Sequence, residues 1–222
     1  MEIEDHEGMS RRIQVLSTEQ WSLITLRSNL WNEAFSRATM YLAVLSATVV
    51  ALALVAQATD FGDSFLRFSL LLLPVVLIVG VSTFVRITHA NVEDKQWLIA
   101  MNRIRRAYLD IAPELEPYFT TGSHDDEPGL VLSTGTLATR RTPLHGMVTS
   151  AGLVAVMNAV VGAVFLGLAA DEITGSPTAG VVAGVATFAL LVLLQANYYH
   201  RAFVRFDQSI IVRFPTPDNT GG

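Results

Sequence analysis

The sequence predicts an all-α polytopic membrane protein, with four transmembrane helices in two hairpins and cytoplasmic helical extensions. Three observations predict it. Apolar residues cluster into four stretches of spanning length, none with a charge near its middle. Basic residues alternate with these stretches. Between them, helical spacing continues outside the apolar runs.

A helix needs about 20 mostly apolar residues to cross the hydrocarbon core. The stretches run roughly over 38–56, 65–87, 147–170 and 178–197. The second is the strongest: between Phe68 and Val85, 13 residues are Leu, Ile, Val or Phe. They favour insertion by about 4–8 kcal/mol, partly offset by Pro74, Gly80, Ser82 and Thr83. Four such runs in 222 residues leave too little polar sequence to cover them in water.

Orientation follows from Arg and Lys placement. Arg11, Arg12, Arg27 and Arg37 precede the first span, and the first short loop has only Arg67. The middle segment carries Lys95, Arg103, Arg105, Arg106, Arg140 and Arg141, with Arg86 at its edge. The second short loop has Asp171 and Glu172 but no basic residue, and the tail has Arg201, Arg205 and Arg213. This alternation predicts a multi-pass protein of the cell membrane with both termini cytoplasmic.

Composition agrees: 51% of residues are hydrophobic and 16% charged. The net charge of −5 argues against a nucleic-acid partner, whose binder carries a basic face. No cysteine is present, which excludes disulfides, thiolate metal sites and cysteine nucleophiles. The acidic start MEIEDHEGMS is unlike a secretory signal. The first apolar run, near Ala38, is therefore expected to remain as an anchor.

The expected organisation begins with a disordered 1–16. A unit over 17–112 follows, made of a cytoplasmic helix, the first hairpin and a second cytoplasmic helix. Then come a linker over 113–146, the second hairpin over 147–200 and a tail over 201–222. Ser17 and Gln20 read as a capping box. Trp21, Ile24, Trp31 and Phe35 share one helical face ahead of the first span. Trp97, Met101, Ile104, Tyr108 and Ile111 form an a/d seam, the stripe along which two helices pack. The seam implies that the 18–37 helix packs on the 92–112 helix. Pro113 ends the second of these. The segment 120–146 lacks a helical period, and Asp125, Asp126 and Glu127 within it read as a solvated acidic patch. After the fourth span a short helical extension and a disordered PDNTGG end are expected.

Several residues are candidates for function. Ala151, Ala155, Ala159, Ala163 and Gly167 recur every four residues, and Gly180 and Gly184 repeat that spacing in the fourth span. Small residues let helix backbones approach closely in lipid. The stripe serves either packing within one bundle or an interface between subunits of a homo-oligomer. Asn158 is an amide in hydrocarbon and needs partners, either as interhelical glue or as a pore contact. Arg86, His89, His145 and His200 fall at predicted cytoplasmic boundaries, where a pH-sensing or metal-binding cluster is one reading and ordinary boundary residues the other. Arg103, Arg105 and Arg106 form a candidate surface for a cytoplasmic protein partner.

Enzyme signatures are missing: there is no GxSxG, HExxH, P-loop or GxGxxG. The spans hold no interior Asp or Glu for acid–base work. No catalytic residue, cofactor or metal is assigned.

The runs LSTEQWSLITLRSNLWNEAFSRATMYLAVLSATVVALALVAQATDFGD and NRIRRAYLDIAPELEPYFTTGSHDDE resemble a group of uncharacterised actinobacterial four-span membrane proteins. That resemblance covers about residues 16–127 and implies no mechanism. In architecture, a helix, a two-span hairpin and a following helix resemble SLATT-type effector membrane domains, which implies a pore. The expected function is therefore a non-enzymatic membrane scaffold or signalling partner, with an oligomeric pore or channel as the alternative.

Overall fold

With Gly8 its one glycine and no proline before Asp60, the N-terminal chain meets no strong helix breaker. In the computed structural model, which describes residues 2–134 and 149–217, helix α1 runs from Glu2 to Thr59. From Glu2 on, helix stands where disorder over 1–16 is expected. Once later turns exist, each added residue extends a nucleus rather than founding one. Ser17 and Gln20 accordingly lie inside the helix, where no backbone N–H is free to be capped.

α1 stops by a left-handed cap. Asp60 and Phe61 take φ of 45° and 57°, and the Phe61 N–H reaches back to the Ala56 carbonyl at 3.2 Å. This six-residue closure satisfies a carbonyl that the helix end would leave open. Helix α2 then runs from Asp63 to Ile111 and carries Pro74 within it. A 3-10 turn, Pro113–Tyr118, follows.

The expected linker is partly helical. Helix α3 covers Glu127–Thr134. Asp126 caps it, accepting the Gly129 N–H at 3.0 Å. The rest of that linker, 135–148, lies outside the described residues, as does Met147. Helix α4, Ser150–Thr174, starts at Thr149, whose hydroxyl accepts from the Gly152 N–H at 3.1 Å. Gly175, at φ 61°, ends α4. Pro177 opens α5, Pro177–Ser209, where its missing N–H costs nothing.

α1, α2, α4 and α5 are each long and apolar enough to cross a membrane. Only 11–33% of their most apolar windows is buried. Leu71, Ile78, Val181 and Leu193 are among the large apolar side chains left facing outward. Water would penalise that surface and hydrocarbon would not.

The described chain divides into two units. The first comprises 2–32, 91–134 and 206–217, the second 33–90 and 149–205. In the second unit, α2 buries Ser69, Leu73, Val76, Gly80, Thr83, Ile87 and Ala90, spaced alternately four and three apart. α1 buries Ala34, Tyr41 and Thr48 at seven-residue intervals. Both are coiled-coil-like spacings.

The first unit packs around two clusters. One joins Leu23 of α1 to Met101 and Ile104 of α2, with Leu16, Trp97 and Tyr108 against them. The expected a/d seam therefore meets α1, through Leu16 and Leu23. Trp21 is 67% exposed, and Ile24 and Phe35 are exposed as well. The other cluster joins Leu98, Ile99 and Leu130 to Phe206 and Ile210.

Candidate functional site

Polar groups buried among apolar helices need partners, so they mark where the fold has been specified. In the second unit the centre of that kind is Asn158, which is 0% exposed. Its Nδ2 donates to Gln195 Oε1 at 3.1 Å. Gln195 Nε2 in turn donates to the carbonyls of Ala155 and Leu191, each at 3.1 Å. Gly80 closes the site from α2: a Cβ there would lie 1.9 Å from Asn158 Oδ1 and 2.8 Å from the Tyr41 ring. Asn158 Oδ1 and the Tyr41 hydroxyl are buried without a hydrogen-bond partner.

All four apolar helices thus contribute to one polar knot inside a single chain. We expect Asn158→Leu to cost about 1 kcal/mol, the usual worth of an interhelical hydrogen bond in a membrane. Unfolding in mild detergent would read the loss, and no loss would show that the amide pair adds nothing.

The small-residue stripe is used in the same way. A Cβ at Gly180 would meet the Gly167 carbonyl at 2.9 Å. One at Gly184 would meet the Ala163 carbonyl at 3.1 Å. Gly167, Gly180, Gly184 and Ala163 therefore let α4 and α5 touch backbone to backbone. Ala151 and Ala159 are buried, and Ala155 is half-buried beside Gln195.

The described boundary residues each have a partner or face outward. Arg86 donates to Glu33, Nη2 to Oε2 at 2.7 Å, and Arg37 Nε reaches Glu33 Oε1 at 3.0 Å. Hydrogen bonds from Arg86 first, then Arg37, pull the Glu33 carboxyl down to about 2. His89 shares a 3.0 Å hydrogen bond with the Tyr198 hydroxyl, not with His200, which is exposed. His145 lies outside the described residues. Among the described residues, no group of three His, Asp or Glu is placed to hold a metal ion.

In the first unit each arginine of the expected partner surface has a partner within the chain. Arg103 Nε donates to Asp125 Oδ2 at 2.7 Å, and its Nη2 donates to the Ile211 carbonyl at 2.6 Å. Arg105 Nη1 donates to Asn102 Oδ1 at 2.7 Å. Arg106 pairs along its own helix with Asp110 at 3.0 Å. A basic cluster in sequence becomes three separate pairings because successive helical residues point about 100° apart.

Asn102, also 0% exposed, ties these parts together. Its Nδ2 donates to the His124 carbonyl at 2.7 Å and the Gly129 carbonyl at 3.3 Å. Its Oδ1 accepts from Arg105 and from the Ser133 hydroxyl, the latter also at 2.7 Å. Nearby, Asp94 accepts from Arg27 Nε at 2.6 Å and Trp31 Nε1 at 2.8 Å.

Of the expected solvated acidic patch only Glu127 is exposed; Asp125 is buried, Asp126 is half-buried, and these two form a clamp. Asp125 is 1% exposed. It accepts the N–H groups of Arg213, at 3.0 Å, and Phe214, at 2.8 Å, as well as Arg103. Asp126 accepts the Thr216 N–H at 2.6 Å and its hydroxyl at 2.7 Å. Burial alone would raise both carboxyls. For Asp125 the Arg213 and Phe214 amides and Arg103 outweigh it, and for Asp126 the Thr216 and Gly129 donors do, so both fall below the usual carboxylate range.

Sequence reasoning missed Gln195, Tyr41, Gly80, Asn102 and the Asp125–Asp126 clamp. One signal was present: an acidic residue just ahead of Glu-Pro marks a helix start. The comparisons with known proteins add no identity: the chain matches no family model, no curated protein and no solved structure.

Proposed function

We propose that the protein is a non-enzymatic, multi-pass membrane scaffold or signalling partner, with both termini cytoplasmic and its first unit facing the cytoplasm. The observation that carries this reading is the build of that unit. It has two apolar clusters of its own, ion pairs between elements (Arg27–Asp94, Lys95–Asp207, Arg103–Asp125) and a docked chain end. A body built this firmly suits presenting a fixed surface to other proteins. The pore alternative has less to rest on, because Asn158 Nδ2 bonds Gln195 and Gly167, Gly180 and Gly184 pack on one another within one chain.

The absence of native cysteine makes the test clean. Single cysteines at Asp60 and Ser176 are expected to react with a membrane-impermeant maleimide on intact cells. Cysteines at Glu19 and Glu114 should react only after permeabilisation. A photo-crosslinker replacing Trp21 should yield discrete adducts with other proteins, and reconstituted protein should pass no ions. Labelling of Glu19→Cys from outside would overturn the orientation, and sustained ion flux would overturn the scaffold reading in favour of the pore.

A further inference from the structure

The last described residues of the chain are held in an unusual manner. After α5 ends at Ser209, the segment 210–216 leaves the helix and lies along α2 and the start of α3. Its hydrogen bonds to the rest of the unit are made mostly by its backbone. The N–H groups of Arg213 and Phe214 enter the Asp125 carboxylate, and the Thr216 N–H enters Asp126. The Phe214 carbonyl accepts from the Asp125 N–H at 3.2 Å, and the Ile211 carbonyl accepts from Arg103. Two side chains add to this: Ile210 packs against the Leu98–Ile99–Leu130 cluster, and the Thr216 hydroxyl bonds Asp126. Ile211 and Val212, by contrast, stand 73% and 46% exposed.

This is the chemistry of peptide recognition. Main-chain hydrogen bonds supply affinity for an extended segment, and a few pockets supply specificity. The receiving side, by contrast, is built of groups the rest of the unit holds in place. Arg103 pairs with Asp125, and the Gly129 N–H of α3 fixes Asp126. Little in the contact set demands the tail's own sequence beyond an apolar anchor at 210 and a hydroxyl at 216.

We propose that the Arg103–Asp125–Asp126 clamp is a binding site for an extended segment of a partner protein, filled in cis by residues 210–216. The partner segment carries an apolar side chain, then two successive free N–H groups three and four residues on, then a Ser or Thr two residues after the second. A tethered occupant acts at an effective concentration in the millimolar range, so the tail holds the site against free partners until it is displaced. The inference stands on the clamp alone. It survives if the scaffold reading fails.

The probe is a fluorescein-labelled peptide of residues 210–217, read by anisotropy against purified protein in detergent. Full-length protein is expected to bind it at least about tenfold more weakly than protein truncated after Ser209. Methylating the peptide nitrogen at Phe214 should cost about tenfold or more, whereas changing Ile211 and Val212 to Ala should leave binding within about twofold. In the full chain, Thr216→Glu sets a carboxylate against Asp126, and should both open the site to the labelled peptide and expose the Arg213–Phe214 bond to trypsin. Truncated protein that keeps its circular dichroism and elution volume yet fails to bind the peptide would overturn the proposal. If truncation prevents folding, the Thr216→Glu chain decides. Peptide binding supports the site, and its absence overturns it.

Discussion

Gly80→Val is expected to destabilise the second unit by about 2–3 kcal/mol, the cost of forcing extra volume into a packed core. The contact is closer than a side chain can absorb by turning. The first atom added would sit 1.9 Å from Asn158 Oδ1 and 2.8 Å from the Tyr41 ring. Asn158 cannot swing aside without leaving Gln195, and Tyr41 is itself 0% exposed. Thermal unfolding in mild detergent measures the loss. A double-mutant cycle then locates it: Gly80→Ala should be less costly in an Asn158→Ala background, because the atom it collides with is gone. Strictly additive effects would mean that Gly80 matters for some reason other than this contact.

Asp125→Ala should cost the first unit about 2–4 kcal/mol. Removing one partner of a buried ion pair costs roughly 3–5 kcal/mol, reduced here because Arg103 keeps 32% of its side chain in solvent. The Arg213 and Phe214 amides lose their acceptor at the same time. Detachment of the tail should follow, seen as fast trypsin cleavage after Arg213 with α1–α2 packing retained. Rates of cleavage equal to the unmutated protein would show that Ile210 and Thr216 hold the tail without the carboxylate.

The same clamp sets an acid limit. Both carboxyls are lowered in the folded protein. Their stabilisation is therefore fully present above the unfolded-state value of about 3.9 and is lost as pH falls through the lower folded values. Tail protection from an acid-active protease should hold at pH 5 and fail progressively below about 3.9. A loss centred near neutral pH would point to a different titrating group.

What the sequence by itself determined is the class and its punctuation. Four apolar stretches with no charge near their middles and the seam that begins at Trp97 are local in sequence and can be read one segment at a time. The start of α1 was misjudged because helix is extended from neighbours more cheaply than it is begun. Tertiary structure decided which face of each span turns inward. A span is apolar all round, so hydrophobic periodicity is silent there. The buried side of α2 is marked instead by Ser69, Gly80 and Thr83, residues that look like weaknesses in a hydropathy profile. It also decided that Asp125 is buried, since two of its donors lie 88 and 89 residues away and no local pattern encodes an interaction over that distance.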